Sequence, residues 1–119
     1  MDLKISQMMD MQKRLFSLHQ LEWPPMEPSQ GKTMMLYMVE EMGEAIAVLK
    51  KKGDDAVMGD PDVRAAFVEE MADALMYYME TLLRYQVTPE EISESYVRKH
   101  SRNMGRDYKQ EYEELYHNG

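Results

Sequence analysis

The sequence predicts an all-α protein, a bundle of four to five helices that assembles as an oligomer. Proline and glycine divide the 119-residue chain into long segments whose apolar residues recur at helical spacing. No segment alternates apolar and polar residues as a half-buried strand does. Methionine, a good helix former that fills irregular gaps, occurs 14 times, whereas phenylalanine occurs only 2 times. At this length we expect a single domain, residues 1–119.

The first half of the chain is predicted to hold two helices joined by an extended connector. Apolar residues recur at helical spacing over Asp2–Leu21, and Asp2 is suited to cap this first helix. Three prolines within five residues forbid a helix in the connector Trp23–Gly31. The second helix is predicted over about 32–52, where Gly53 ends it.

The second half is predicted to hold two more helices and a charged tail. After a polar loop over Gly53–Asp60, the pair Asp60-Pro61 marks a helix start, because a capping residue precedes proline at the first helical position. Thr88 and Glu91 have the spacing of a capping box. In chain order we expect a third helix over about 61–85, a break at 86–87, a fourth helix from about 88 past His100 with a kink or stop at Gly105, and a partly helical tail.

The composition limits the classes of function. There are 22 acidic and 14 basic residues, for a net charge of −8, which argues against general binding of nucleic acid polymers because that requires a basic surface. The absence of cysteine excludes disulfides, thiolate metal sites and thiol nucleophiles. No apolar run approaches the roughly 20 residues of a membrane span, and residues 1–10 do not resemble a secretory signal. We therefore expect a cytoplasmic protein with no membrane partner.

Two pairs of acidic residues at helical spacing form the strongest functional pattern. Glu41 and Glu44 lie three residues apart within an apolar stripe of the second helix, and Glu70 and Asp73 repeat this spacing on the third. Burying an unpartnered carboxylate is costly, and two close carboxylates also repel each other. If the two helices run antiparallel, the four carboxylates can face one another and hold a hard divalent cation such as Mg²⁺ or Mn²⁺.

The same residues have an ordinary interpretation. On the third helix the acidic residues form a stripe opposite the apolar one, and such a stripe is usually solvated. A di-iron bundle would need Glu-x-x-His on two helices, and the chain has only one such pair, near its C-terminus. The acidic stripe comprises Asp62, Glu69, Glu70, Asp73 and Glu80, opposite Phe67, Met71, Leu75, Tyr78 and Leu82.

The acidic pattern is similar to that of a known enzyme family. Glu40-Glu41-x-x-Glu44, followed after 25 residues by Glu70-x-x-Asp73, resembles the signature of the MazG-like nucleotide pyrophosphohydrolases, which are all-α enzymes. The resemblance spans about residues 33–108 and extends to Lys99-x-x-x-Asn103-x-x-Arg106. It implies Mg²⁺-dependent hydrolysis of a nucleoside triphosphate between the α and β phosphates, giving a nucleoside monophosphate and pyrophosphate.

The resemblance also implies roles for individual residues. It implies Glu41, Glu44, Glu70 and Asp73 as ligands of Mg²⁺ or Mn²⁺, Glu40 or Glu41 as the group that activates water, and Lys99, Asn103 and Arg106 as contacts of the phosphates. By their spacing, the last three share one helix face if the fourth helix continues through Gly105. Trp23 could stack on a base, or it could pack the connector onto the core.

Self-association is expected on two grounds. Apolar residues cover nearly the whole circumference of the first and second helices, and helices of this kind are buried on all sides. MazG-like proteins also assemble from such helical subunits and can complete a nucleotide pocket with a second chain. We therefore expect a homodimer or a tetramer with closed symmetry.

Other functions remain open at this point. The chain could be a non-catalytic helical interaction module that keeps the fold, or an enzyme similar to phosphoribosyl-ATP pyrophosphohydrolase. A redox protein with a metal–carboxylate centre is a further class, against which the missing Glu-x-x-His pairs argue. No residue pattern identifies the base or the sugar of a nucleotide substrate.

Overall fold

The computed structural model describes residues 1–117, and these residues form six α-helices and no strand. The all-α prediction is confirmed, although the number of helices exceeds the predicted four to five. None of the described helices has the length and apolar character needed to cross a membrane. The helices are α1 (Ile5–His19), α2 (Gly31–Lys52), α3 (Asp54–Gly59), α4 (Pro61–Arg84), α5 (Pro89–Met104) and α6 (Tyr108–His117).

The chain divides after Thr88 into two compact units. In the first unit, α4 is the central helix: α2 packs along it most extensively, and α1 and α3 also contact it. The second unit begins at Pro89 and contains α5 and α6. The buried apolar side chains of the first unit are Met9, Met34, Ala45, Val57, Ala74 and Met79.

The helices α2 and α4 run antiparallel, as the carboxylate hypothesis requires. The rings of Tyr37 on α2 and Tyr77 on α4 are in contact, with centroids 5.6 Å apart. Further along the pair, Glu44 of α2 lies beside Glu70 of α4. Residue numbers therefore rise along α2 while they fall along α4.

The start of α1 and the form of the connector differ from the predictions. Asp2 does not cap α1, because the helix begins at Ile5 and its N-cap is Lys4, whose backbone N–H donates to Oε1 of Gln7 at 2.7 Å. The connector is not extended throughout, since Pro28–Gln30 forms a 3₁₀ turn. Proline is tolerated at the start of such a turn because its missing N–H would have no partner there.

The predicted loop over Gly53–Asp60 contains the short helix α3. Gly53 ends α2 with a φ of 83°, a conformation that glycine adopts at little cost. Asp54 and Asp55 then occupy the first turn of α3, where negative charge favours a helix start. A reversal of helix direction thus separates α2 from α4.

The start of α4 confirms the Asp60-Pro61 signal, and the bounds of α5 agree with those of the predicted fourth helix. The Asp60 carboxylate accepts hydrogen bonds from the backbone N–H groups of Asp62 at 3.0 Å and Val63 at 3.4 Å. Gln86 has a φ of 56°, a conformation that is not helical and that separates α4 from α5. The helix α5 ends at Met104, directly before Gly105.

The helix α2 begins earlier than predicted, at Gly31. This glycine is buried, and a Cβ atom at its position would overlap the ring of Tyr85. The absence of a side chain therefore lets the end of α4 approach the start of α2.

Candidate functional site

Three glutamates from two helices come together where α2 faces α4. One carboxylate oxygen from each of Glu41, Glu44 and Glu70 lies within 4.8 Å of the others. Glu44 is exposed, whereas Glu41 and Glu70 are half-buried. Oε2 of Glu41 and Oε2 of Glu70 are both buried without a hydrogen-bond partner. We call these three residues the acidic cluster.

The crowding of the acidic cluster has an electrostatic consequence. The pKa of Glu70 is raised from 4.5 to about 7. The largest cause is hydrogen bonding with the Glu44 carboxyl group, followed by hydrogen bonding with Glu41, burial and the repulsion of these two charges. A proton on Glu70 thus relieves the repulsion, and a divalent cation bound to the same oxygens would relieve it more completely. The donor set is all oxygen, as Mg²⁺ and Mn²⁺ prefer.

The other two predicted acidic residues lie outside the acidic cluster. Asp73 is half-buried and lines the same cavity as Glu41, so the two side chains do not point to opposite sides of the bundle. Glu40 is exposed and is not part of the cluster. The structure therefore brings together three of the predicted metal ligands, with Asp73 on the adjoining wall.

The interpretation of the whole acidic stripe of α4 as a solvated face is wrong. Asp62 and Glu69 are exposed, but Glu70 and Asp73 are half-buried and Glu80 is buried. The reason is that α4 turns this stripe toward α2, while part of its apolar stripe faces outward. Within that apolar stripe, the exposed fractions are 39% for Met71, 45% for Leu75 and 38% for Tyr78.

A cavity of about 400 Å³ adjoins the acidic cluster. It is an open cleft lined by residues of α1, the connector, α2 and α4, and its volume falls in the range of small-ligand sites. Glu41 and Asp73 line its acidic side. The aromatic side chains on its wall are Trp23, Tyr37 and Tyr77. The cavity thus combines aromatic surface with carboxylates at one side.

Trp23 is half-buried on the wall of this cavity. The His19 ring stacks on it at 4.7 Å between centroids and 23° between planes, and the Phe16 ring lies 6.5 Å away. These contacts pack the connector against α1, as one of the two predicted interpretations requires. The other interpretation, stacking on a base, stays a prediction.

A second polar group on the cavity wall was not predicted from the sequence. Gln12, Glu80 and Arg84 are 7%, 4% and 1% exposed, and all three line the cavity. Nη2 of Arg84 lies 3.6 Å from Oε1 of Glu80. We call these residues the buried polar group. A sequence signal existed, since Glu80 and Arg84 continue the helical spacing of Glu70 and Asp73.

Arg84 also holds the connector in place. Its Nη1 donates to the backbone carbonyl of Pro25, and its Nη2 lies 3.5 Å from that of Pro24. The guanidinium carbon is 6.0 Å from the centroid of the Phe16 ring, within the range of a cation–π contact. The Nε of Arg84 is buried without a hydrogen-bond partner. One side chain thus ties α4 to α1 and to the residues that follow Trp23.

The three predicted phosphate contacts lie in the second unit. Lys99 and Asn103 are on α5, but α5 ends at Met104, so Arg106 lies outside the helix and the predicted common helix face is wrong for it. Gly105, directly after Met104, ends the helix instead of continuing it. Asn103 Oδ1 accepts from Nη1 of Arg106 at 3.3 Å, and Nη2 of Arg106 lies 2.6 Å from Oε2 of Glu111. Hydrogen bonding from Arg106 lowers the pKa of Glu111.

Comparisons of the chain with protein-family models, with curated protein sequences and with solved structures find no match. The resemblance to MazG-like enzymes therefore depends on the spacing of the acidic residues and on the downstream Lys-Asn-Arg segment.

Proposed function

We propose that this protein is a divalent-cation-dependent hydrolase that cleaves a nucleoside triphosphate between the α and β phosphates. The products would be a nucleoside monophosphate and pyrophosphate. The observation that carries the proposal is the acidic cluster, three glutamates from two helices at one side of a cavity with aromatic walls. The motif that resembles the MazG-like enzymes falls on the same residues, which supports the same conclusion.

The acidic cluster fits a hard divalent cation. Glu41, Glu44 and Glu70 would hold Mg²⁺ or Mn²⁺ together with Asp73, because two of the cluster oxygens are buried without another partner. When bound, the ion supplies positive charge that neutralises the phosphate oxygens of the substrate. The chain would thereby bind an anion even though its own net charge is −8.

Glu41 has the position of a group that activates water. It belongs to the acidic cluster and also lines the cavity, whereas Glu40 is exposed and outside the cluster. The carboxylate oxygen of Glu41 that has no partner would orient a water molecule and accept a proton from that water. The water oxygen would bond to phosphorus as the bridging P–O bond breaks, and pyrophosphate would leave with the electron pair of that bond. No covalent intermediate with the protein is needed.

The aromatic wall would hold the base of the nucleotide. Trp23, Tyr37 and Tyr77 offer ring faces or edges, and stacking on a base contributes about 1–3 kcal/mol. The pKa of Tyr77 is raised by burial first and then by the charge of Glu41. Tyr77 therefore keeps its proton and can donate a hydrogen bond to an anionic ligand.

Lys99, Asn103 and Arg106 are proposed to contact the phosphates. We expect Arg106→Ala to lower kcat/KM about tenfold, the scale of one lost charge-assisted hydrogen bond. Ser101→Ala, at an exposed position of α5 that the proposal does not use, is the matched control. Unchanged kinetics in both Lys99→Ala and Arg106→Ala would show that these residues are ordinary solvated side chains with no role in phosphate binding.

Self-association into a homodimer or a closed tetramer is part of the proposal. The outward side of α2 leaves large apolar residues exposed, and a patch of this kind is uncommon on a monomer. Light scattering coupled to size exclusion at micromolar protein tests this, since the monomer has a mass of 14.1 kDa. A fully active species of that mass would contradict it. The patch includes Met35, Leu36, Val39, Met42 and Ile46.

A non-catalytic interaction module is the second candidate, and the same exposed apolar surface favours it. Such a module has no need of a cation. Stabilisation by Mg²⁺ therefore separates the two candidates, because a ligand that binds only the folded state raises its stability.

The direct test is a panel of nucleoside triphosphates, with phosphoribosyl-ATP included, incubated with Mg²⁺ and assayed separately for pyrophosphate and orthophosphate. We expect pyrophosphate from at least one substrate, and its loss in Glu44→Gln. Glu69→Gln is the matched control, because Glu69 is exposed on α4 beside the cluster and has no role in the proposal. Release of orthophosphate alone, or of neither product, would contradict the proposed reaction.

A further inference from the structure

The buried polar group is unusual because all of its members lie on one cavity wall. Among the side chains whose burial the structure describes, the buried polar or charged ones are Gln12, Glu80 and Arg84, and each lines the cavity beside the acidic cluster. Polar residues are seldom this deeply buried unless they are paired. Their common position therefore points to a shared partner inside the cavity.

The hydrogen-bonding capacity of these three side chains is largely unused. The Gln12 amide forms no hydrogen bond with any residue that the structure describes. Glu80 has its ion pair with Arg84, but the 3.6 Å separation is longer than a hydrogen bond. The Nε of Arg84 has no partner. Of these three side chains, only Arg84 has a fully buried atom without a partner, so the Gln12 amide and the Glu80 carboxylate reach the open space of the cavity. A ligand that displaces water from this space has to supply their hydrogen-bond partners.

The chemistry of the group specifies what that ligand must offer. A carboxylate accepts hydrogen bonds and cannot donate them, so Glu80 requires a donor from the ligand. Arg84 places a positive charge beside Glu80, while its Nη atoms are directed to the backbone carbonyls of Pro24 and Pro25. The amide of Gln12 offers both a donor and an acceptor, which suits a ring nitrogen beside an amino group.

We propose that Glu80 and Gln12 select a nucleobase that carries an exocyclic amino group over the same base with a keto group. This inference rests on the proposed function, since it treats the cavity as the base pocket of a nucleotide. Glu80 and Gln12 are then specificity-determining residues, and Arg84 is a positioning residue that orients Glu80 and the connector carrying Trp23. A keto oxygen opposite Glu80 would place two acceptors together and leave the buried carboxylate unsatisfied.

Trp23 makes the selection measurable without turnover. It is the only tryptophan of the chain and lines the cavity, so its fluorescence reports occupancy. We would titrate the wild-type protein with nucleoside monophosphates in matched pairs: cytidine against uridine, and adenosine against inosine. The more tightly bound pair should favour its amino member by at least about tenfold. Equal affinity, tighter binding of the keto member or no response to any nucleotide would overturn the proposal.

Glu80→Gln tests the role of the carboxylate. Its amide can present either a donor or an acceptor, so the preference for the amino member should fall to nearly equal affinity. Glu69→Gln, at an exposed position of the same helix, should keep the wild-type preference. An unchanged preference in a folded Glu80→Gln protein would overturn the proposal.

Because Glu80→Gln leaves Arg84 without its charge partner and could impair folding, Gln12→Leu is the second variant. We expect it to weaken binding of the amino member about tenfold while stabilisation by Mg²⁺ is retained, because the acidic cluster is untouched. Unaltered binding in Gln12→Leu would overturn the assignment of Gln12. The two proposals fail separately: selective binding without pyrophosphate release contradicts only the enzyme, and pyrophosphate release without amino preference contradicts only this inference.

Discussion

The acidic cluster and the Glu80–Arg84 pair lie on the same packed helices, but their charges are balanced in opposite ways. In the cluster, Glu44 and Glu70 face each other with no basic partner among the described residues, and the pKa of Glu70 is raised to about 7. Glu80 instead has the Arg84 guanidinium beside it, with both side chains almost fully buried. The charge of the pair is therefore compensated within the chain, whereas the repulsion in the cluster is relieved by a proton on Glu70 or, as we propose, by a divalent cation.

The largest expected difference concerns the loss of a charge from each region. Arg84→Met leaves the carboxylate of Glu80 buried and uncompensated, and should lower the free energy of unfolding by about 3–5 kcal/mol. Glu44→Gln should have the opposite sign and stabilise the metal-free protein, because it removes a repulsive charge. Chemical denaturation without metal measures both effects.

The double variant Glu80→Leu/Arg84→Met is the control for this prediction. Removing both charges together should recover much of the stability lost in Arg84→Met, since apolar residues of similar volume can replace a buried ion pair. A loss below about 1 kcal/mol in Arg84→Met would show that the pair is far better solvated than its burial indicates.

The second prediction concerns the response to Mg²⁺. The wild-type protein should gain about 2.7 kcal/mol of stability when Mg²⁺ is present at 100 times its dissociation constant. Glu44→Gln should lose this gain, and Glu80→Gln should keep it if that variant folds, because Glu80 is outside the cluster. Thermal melts with and without Mg²⁺ provide the measurement. An equal gain in wild type and Glu44→Gln would place the cation elsewhere.

The third and smallest effect is the pH dependence of the metal-free protein. The pKa of Glu70 is higher in the folded state, about 7 against a usual value of 4.5, so the folded protein binds more protons between these values. The stability due to this proton is therefore complete at low pH and is lost as the pH rises through about 7. Melting temperatures should fall across this window in the wild type.

Glu70→Gln is the matched variant for the pH series, since it removes the titrating group without changing the side-chain shape. Its melting temperature should vary less over the same window than that of the wild type. Saturating Mg²⁺ should also reduce the fall, because the cation replaces the proton on these oxygens. Identical pH profiles for Glu70→Gln and wild type would assign the titration to another group.

The features that the sequence predicts correctly depend on local spacing. Glu41 and Glu44 share a helix face because they lie three residues apart, and Glu70 opposes them because α2 and α4 are antiparallel. The start of α4 is equally local, since Asp60 bonds to the N–H groups two and three residues further on. The helix face and the cap need no knowledge of tertiary contacts, whereas the position of Glu70 also requires the antiparallel packing of α2 and α4.

The features that were missed depend on residues far apart in the chain. The burial of Arg84 depends on the connector carbonyls of Pro24 and Pro25, about sixty positions away, and no local pattern indicates this contact. Gln12 becomes part of the same group only because α1 packs on α4. The position of Arg106 was missed for another reason, since Gly105 allowed either a kink or a stop and the helix stops.

Titration with Mn²⁺ tests whether the acidic cluster binds a divalent cation. The electron paramagnetic resonance signal of free Mn²⁺ disappears when the ion binds, so the loss of signal gives the number of bound ions. The titration is done at a pH above 8, where the Glu70 carboxyl group is ionised. We predict that the wild type and Glu69→Gln bind Mn²⁺, and that Glu41→Gln and Glu44→Gln bind it at least tenfold more weakly. Wild-type affinity in both cluster variants would contradict the account.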